Sequence, residues 1–201
     1  EWKKWPMPDP TKTANFKPSD YYECWWGYGE MPNLNYDLDE LNPSENSIKN
    51  IIFSSSCTVY GMPDVLPVDE SAPFKKAESP YGETKQLCEK MLKDDSCDSV
   101  ALRYFNPIGS HFSSLIGDCS ADKPCNLIPI ICEVAKGTRD KLIVNGDDYN
   151  TIDGSCVRDY IHVVDLAKSH VSALNYLLKN PKKDVFNIGT GKGLSVIQAI
   201  K

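Results

Sequence analysis

The chain has 201 residues, of which 41% are hydrophobic and 25% are charged, with a net charge of −6. This is enough apolar material for one large domain, or one domain and part of a second. The acidic balance argues against nucleic acid or an anionic membrane as a partner. No segment approaches the 18 or so consecutive apolar residues of a membrane span, and no apolar leader is visible, so we expect a cytoplasmic protein.

Strands and helices alternate from Lys49 onward, which indicates an α/β fold with a parallel sheet. Short apolar runs predict strands, and periodic apolar positions predict helices. In chain order these are strand Lys49–Ser55, helix Pro80–Lys93 with Leu87, Met91 and Leu92 inward, strand Ser99–Phe105, helix Asn126–Lys136, strand Leu142–Val144, strand Ile161–Val164, an amphipathic helix capped by Asp165 with Leu166, Ala167, His170, Val171, Leu174, Leu177 and Leu178 on one stripe, strand Asp184–Ile188, and a helix after Ser195. Residues 1–48 keep no such period and form a head that the sequence does not assign.

Eight cysteines invite a disulfide or zinc interpretation, yet no Cys-x-x-Cys pair occurs among them. The three histidines, His111, His162 and His170, show no ligand-like spacing to the cysteines. We therefore expect reduced thiols and no metal site. His162 and His170 are interpreted as residues of the core or of its margin.

Two segments carry the chemistry: a serine run, Ser54–Ser56, closes the first strand, and Tyr81 and Lys85 follow about 25 residues later. Tyr81 and Lys85 are four residues apart and share one face of a helix that Pro80 opens. Ser56 lies at the carboxyl end of a buried strand, where open α/β sheets bind ligands. A phenol with a pKa near 10 is a poor base, and we expect an ammonium beside it, together with an oxidised nicotinamide, to lower that pKa.

One glycine-rich segment, Gly189–Gly193, follows a strand and precedes a helix. It matches neither of the two common phosphate-binding spacings, since Leu194 stands where the last glycine of the dinucleotide motif belongs. We interpret it as a tight turn. The sequence holds no other glycine-rich nucleotide motif.

Several collinear segments resemble the sugar-nucleotide epimerases of the extended short-chain dehydrogenase/reductase family. The resemblance runs from about Ser47 to Lys201, and 4,6-dehydratases of the same family differ by an Asp-Glu pair where this chain has Cys57-Thr58. The most specific segments are Phe53–Gly61, Pro67–Glu70, Ser79–Lys85, Leu102–Pro107, Gly146–Tyr149 and Asp153–Leu166.

The resemblance implies a partial Rossmann-type parallel sheet with pieces of a smaller C-terminal substrate domain. Residues 49–112 would be the end of the NAD-binding domain, and residues 113–201 would be mostly the UDP-sugar-binding part. The implied catalytic residues are Ser56, Tyr81 and Lys85. The implied NAD contacts are Ser54, Ser55, Tyr81, Lys85 and Phe105. The implied substrate contacts are Ser56, Tyr81, Asn106, Asn126, Leu127, Ile143, Val144, Asn145 and Arg158.

The implied reaction interconverts UDP-galactose and UDP-glucose by oxidation and re-reduction at C4 with NAD, in a homodimer of the full-length family. From the residues alone, Arg158 could instead pair with Asp159 or Asp165, Asn126 could be only a helix cap, and Asn106 could be a turn residue. The family's N-terminal glycine-rich NAD turn and acidic ribose partner are missing from this sequence. We therefore expect a fragment that is inactive by itself. A pseudo-enzyme of the family and an epimerase for another UDP-sugar remain alternatives.

Overall fold

The computed structural model describes residues 49–117, 124 and 126–201, and Asn50–Lys201 form one structural unit. The head, residues 1–48, lies outside the described residues, and the predicted division at residues 112 and 113 stays a prediction. The elements in chain order are β1 (Asn50–Ser56), a 3-10 helix (Cys57–Tyr60), α1 (Pro80–Asp94), β2 (Asp98–Tyr104), β3 (Asn106–Ile108), α2 (Leu127–Lys136), β4 (Val157–His162), α3 (Val163–Lys179), β5 (Asp184–Ile188), β6 (Gly193–Ser195) and α4 (Val196–Ile200).

The main sheet is parallel, with strand order β1-β2-β5. Its central strand, β2, is buried along most of its length, because helices cover the sheet as they do in α/β folds. Val100 and Leu102 of β2 pack against Ala173 and Leu177 of α3, and these four side chains are the centre of the core. The predicted parallel α/β fold is confirmed.

A second, mixed sheet has the order β3-β4-β6, in which β3 and β4 are parallel and β4 and β6 are antiparallel. The strand predicted at Ile161–Val164 lies earlier, at Val157–His162. The strand predicted at Leu142–Val144 is wrong, since these residues have no regular structure. A strand needs a partner for its main-chain groups, and Ile143 instead lies 69% exposed.

Helix α1 begins at Pro80 as predicted, but of the three residues predicted to face inward only Leu92 is half-buried. Leu87 is 44% exposed and Met91 is 63% exposed. The buried face is instead Gly82, Thr84, Lys85 and Gln86. Polar side chains can occupy this face because each finds a partner there; Gln86, for example, donates to the carbonyl oxygens of Val59 and Lys75, both at 2.7 Å.

Helix α3 begins two residues before the predicted cap. The His162 imidazole accepts from the Val164 N–H at 3.2 Å and caps the helix, whereas Asp165 lies in its first turn. The predicted apolar stripe is only partly buried, because the face turned to the sheet follows Ala173 and Leu177. The apolar residues of the predicted stripe that lie exposed are Ala167, Val171, Leu174 and Leu178.

The short helix α4 begins after Ser195, as predicted. The Ser195 hydroxyl accepts from the Gln198 N–H at 3.1 Å, and the Gln198 side chain accepts from the Ser195 N–H at 2.9 Å. This reciprocal pair is a capping box. None of the helices in the described ranges combines the length and apolar character that crossing a bilayer requires.

Candidate active site

Ser56 ends β1 and lies where the chain turns into the 3-10 helix. Its extended backbone makes it the N-cap, and its hydroxyl oxygen accepts from the Thr58 N–H at 3.2 Å. The Ser56 side chain also forms a hydrogen bond with the phenol of Tyr81. The carboxyl end of the strand and the first turn of α1 therefore meet at these two hydroxyl groups.

The start of α1 is built to approach the 3-10 helix closely. Ser79 caps it by accepting from the Gly82 N–H at 3.1 Å, and Pro80 occupies a first-turn position. A Cβ on Gly82 would lie 3.1 Å from the Thr58 carbonyl oxygen, tighter than most such contacts. Glycine at this position lets the helix bring Tyr81 against Ser56.

Lys85 lies one turn after Tyr81, and it is 2% exposed. Its Nζ donates to the Ser54 carbonyl oxygen at 2.6 Å and lies 5.4 Å from the centre of the Tyr81 ring. The Phe53 ring packs 5.0 Å from the same nitrogen. Burial lowers the pKa of Lys85 to about 8. The structure thus brings the Ser56 hydroxyl, the Tyr81 phenol and the Lys85 ammonium together at the carboxyl end of β1, and we call this place the cleft; the roles of the three residues stay a prediction.

The pKa of Tyr81 differs from the expectation. Burial raises it above the ordinary value of 10, and the hydrogen bond from Ser56 opposes that rise only in part. A lowered pKa was expected from Lys85 together with an oxidised nicotinamide, but the ammonium of Lys85 directs a hydrogen bond to the Ser54 carbonyl. The side chains around Tyr81, without a nicotinamide beside them, therefore favour the neutral phenol.

The other predicted cofactor residues lie at the same edge of the sheet, with one exception. The Ser54 hydroxyl is exposed and accepts from the Tyr104 phenol at 2.7 Å, while the Phe105 N–H donates to the Ile188 carbonyl at 3.1 Å. Ser55 does not reach the cleft: it is fully buried, and its hydroxyl donates to Glu89. The pleat of β1 turns adjacent side chains to opposite faces, which explains the difference.

The predicted substrate residues fall into two groups. Leu127, Ile143 and Asn145 line one cavity of about 430 Å³, together with Ile130 and with the Arg139–Leu142 segment. The others are not among its lining residues. Those others are Asn106 in β3, Asn126 at the N-cap of α2, Val144, which is 38% exposed, and Arg158 in β4.

Within the described residues Arg158 forms no ion pair with Asp159 or Asp165, whereas Asn126 does lie at the N-cap of α2. The Arg158 guanidinium is exposed and donates to the Val157 carbonyl at 3.0 Å, while Asp165 pairs with Lys168 at 3.1 Å. Asn126 makes no side-chain capping hydrogen bond. Both side chains thus remain suited to an external ligand.

The glycine-rich turn after β5 is satisfied from within the chain. The Asp159 carboxylate accepts from the Thr190 N–H and the Gly191 N–H, each at 2.8 Å. A Cβ at Gly189 would lie 2.6 Å from that carboxylate, so the close approach requires glycine. Because Asp159 fills the position that a phosphate would take, the interpretation as a tight turn is supported.

Sequence reasoning missed a buried ion pair behind the cleft. Arg103 of β2 and Glu89 of α1 pair at 2.7 Å, with side chains 6% and 7% exposed. The Tyr60 phenol accepts from Arg103 at 2.8 Å and donates to the Asn187 side chain at 2.6 Å. The sequence does carry a sign of this pair: Arg103 lies inside a run predicted to be a buried strand. A buried charge needs a partner of opposite charge, so the position predicts one.

The parallel sheet, with a hydroxyl, a phenol and an ammonium at its edge, defines the class: a Rossmann-type fold like that of the short-chain dehydrogenase/reductases. Residues 38–189 match the model of the NAD dependent epimerase/dehydratase family. The chain belongs to that family. No group of three or more potential metal ligands occurs within the described ranges.

Curated relatives include UDP-glucose 4-epimerase of Bos taurus, which is 44% identical over 92% of this chain and 53% of its own length. The enzyme of the same name from Bacillus subtilis is 49% identical over 77% of this chain and 47% of its own length. The chain therefore spans about half the length of the curated relatives it matches.

Solved structures agree with these relatives. UDP-glucose 4-epimerase from Stenotrophomonas maltophila, with bound NAD and formylated UDP-arabinopyranose, superposes with a TM-score of 0.78 at 40% identity, covering 90% of this chain and 53% of its own. The Bifidobacterium longum enzyme in complex with NAD+ and UDP gives a TM-score of 0.73 at 45% identity, covering 80% and 50%.

Proposed function

We propose that this chain carries the catalytic and UDP-sugar-binding half of a UDP-glucose 4-epimerase, which interconverts UDP-galactose and UDP-glucose with NAD. The observation that carries the proposal is the Tyr81 phenol, hydrogen-bonded to Ser56 and flanked by the buried ammonium of Lys85. The relatives named above, which are UDP-glucose 4-epimerases, support the choice of substrate.

The nicotinamide end of NAD would lie where Ser54, Tyr81, Lys85 and Phe105 surround the carboxyl ends of β1 and β2. When bound, NAD would accept the hydride from C4 of the sugar and return it to the other face. The sequence contains no glycine-rich turn for the pyrophosphate, and the turn at residues 189–193 is occupied by Asp159. We therefore propose that the rest of the NAD site comes from other segments of the family fold.

The residues of the chain would handle the proton of the C4 hydroxyl. Tyr81 takes this proton, and Ser56, which is within hydrogen-bonding reach of the phenol, orients the hydroxyl. Because burial raises the Tyr81 pKa, proton removal would depend on positive charge close to the ring. Lys85 supplies one such charge.

The nucleotide would be held away from the reacting carbon. We assign its diphosphate to Arg158, whose guanidinium can fork onto phosphate oxygens, and to Asn126 at the start of α2. The cavity lined by Leu127, Ile143 and Asn145 would take part of the UDP group, with Val144 beside it and Asn106 at the sugar. Such an anchor would let the sugar turn while the nucleotide stays bound.

A chimera tests the function directly. Residues 49–201 replace the matching half of the Bacillus subtilis enzyme, and a coupled assay follows UDP-glucose formation from UDP-galactose. We expect Tyr81→Phe to lower kcat by about 10²–10⁴-fold with little change in KM, because only proton transfer is lost. Tyr176→Phe is the matched control, since the Tyr176 phenol of α3 donates to the Asp184 carboxylate of β5 and is not part of the proposed site. Turnover of Tyr81→Phe within a few-fold of the unsubstituted chimera would remove Tyr81 from this role.

The outward face of α1 supports a homodimer. Leu87 and Met91 are apolar and exposed on the helix that carries Tyr81, and such faces are typical of protein interfaces. We expect Leu87→Glu to shift the chimera toward monomer in sedimentation. Leu174→Glu on α3 is the matched control, because both leucines are 44% exposed. A dimer equally stable to both substitutions would place the interface elsewhere.

A cytoplasmic location completes the proposal. The cysteines described by the structure, Cys57, Cys88, Cys97, Cys132 and Cys156, carry thiols, as is typical of proteins from reducing compartments. Localisation of a tagged chain by microscopy tests it. Recovery of the tagged chain from a secreted fraction would contradict it.

A further inference from the structure

The carboxylate of Glu89 is fully engaged inside the protein. Arg103 Nε donates to Glu89 Oε1 at 3.0 Å, and Arg103 Nη2 donates to Glu89 Oε2 at 2.7 Å. The Ser55 hydroxyl donates to the same carboxylate. This forked geometry fixes the direction in which the Glu89 side chain points.

Glu89 is also the helical neighbour of the lysine in the candidate active site. Residues four apart on a helix lie about 5–6 Å apart at Cβ, and opposite charges at that spacing attract. In a partly buried setting this attraction is screened less than it is in water. Lys85 nevertheless directs a hydrogen bond at 2.6 Å to the Ser54 carbonyl, on the side of the cleft.

We propose that Arg103 is a positioning residue for the candidate active site: by holding the Glu89 carboxylate, it limits pairing of that carboxylate with Lys85. The ammonium of Lys85 is thereby kept at the carboxyl end of β1, beside Tyr81. This inference rests on the proposed function for the importance of Lys85. Its geometry involves only described side chains.

The groups around Lys85 determine how loss of Arg103 would change the Lys85 pKa. On its own helix the ionisable groups that act on Lys85 are Cys88 and Glu89, both of which raise its pKa against the effect of burial. Tyr81 lies beside it on the same face, and β1 presents the Phe53 ring and the Ser54 carbonyl. A Glu89 carboxylate released from Arg103 would therefore raise the Lys85 pKa further.

The experiment measures that pKa in the 201-residue chain without cofactor or substrate. Lysines are labelled with ¹³C at Cε, the Lys85 signal is assigned by its loss in Lys85→Arg, and its shift is followed with pH. We expect a pKa near 8 in the parent chain. Arg103→Met should raise it by about 1–3 units, the usual effect of a close opposite charge. Arg139→Met is the matched control, since it breaks the Arg139–Glu133 pair of α2.

The double variant Arg103→Met/Glu89→Gln separates the carboxylate from the charge of the arginine itself. We expect it to return the Lys85 pKa to the parent value or below. An unchanged pKa in Arg103→Met, or the same rise in the double variant, overturns the proposal. If Arg103→Met does not fold, Arg103→Lys replaces it in the measurement of the Lys85 pKa. Lysine keeps the positive charge but cannot make the forked pair of hydrogen bonds that holds the Glu89 carboxylate. The result is independent of epimerase activity, so it fails separately from the proposed function.

Discussion

Replacing Lys85 by methionine should make the chain more stable at neutral pH. The fold buries the charged amine, and its pKa falls from the ordinary 10.5 to about 8. At about 1.4 kcal/mol per pKa unit, burying the charged form costs roughly 3 kcal/mol. Methionine has a similar length and carries no charge, but the hydrogen bond to the Ser54 carbonyl is lost, a loss of about 1 kcal/mol. The expected net gain in the free energy of unfolding is about 2 kcal/mol at pH 7.

The pH dependence gives this prediction its sign. Below pH 8 the folded lysine is charged and the whole cost of burial is present. Between about pH 8 and 10.5 the folded protein releases the proton while the unfolded chain still holds it, so the parent becomes more stable as the pH rises. The advantage of Lys85→Met should therefore shrink across this range, and near pH 10.5, where mainly the lost hydrogen bond remains, the parent should be the more stable chain by up to about 1 kcal/mol.

Urea unfolding of both chains, followed by circular dichroism at pH 7, 9 and 10.5, measures the difference. Lys90→Met on the exposed face of α1 is the control for the loss of a lysine. A Lys85→Met chain that is less stable than its parent at pH 7 would refute the reasoning. So would a gain that does not change with pH.

Two further outcomes follow from the geometry. Arg158→Ala in the chimera should weaken UDP binding by about ten-fold or more in calorimetry, because the diphosphate would lose its contact with the guanidinium. This guanidinium is exposed and forms no ion pair with a described carboxylate. An unchanged affinity would remove Arg158 from the nucleotide site. Leu177→Ala should lower the free energy of unfolding in urea by about 2–5 kcal/mol, because Leu177 is 0% exposed at the centre of the core. Leu178→Ala, at a residue that is 62% exposed, should lower it much less. Equal losses would place the core elsewhere.

The sequence by itself predicted most of the strands and helices in order and the shared face of Tyr81 and Lys85, but it missed β3 and β6 and placed a strand at Leu142–Val144 where there is none. The correct predictions follow from local rules: a short apolar run forms a buried strand, a proline opens a helix, and a spacing of four aligns two side chains. The serine run at the end of β1 could be assigned to the site for the same reason. The resemblance to a family added roles to residues that the pattern had already placed.

Only the tertiary structure decided which face of α1 is buried, because that depends on partners far along the chain. Glu89 pairs with Arg103 of β2, and Gln86 donates to the carbonyl oxygens of Val59 in the 3-10 helix and of Lys75. A hydrophobic pattern places Leu87 and Met91 inward, but satisfied polar groups outweighed it, since a buried charge with a forked partner is stable where an unpaired one is not.

The direction of the Tyr81 pKa was likewise beyond the sequence. A spacing of four puts an ammonium near a phenol, but it does not say how deeply either group is buried or where the ammonium points. Burial of the ring raises the Tyr81 pKa, and the hydrogen bond with Ser56 opposes that rise only in part. Electrostatic energies depend on distance and on the surrounding dielectric, and both are properties of the folded chain.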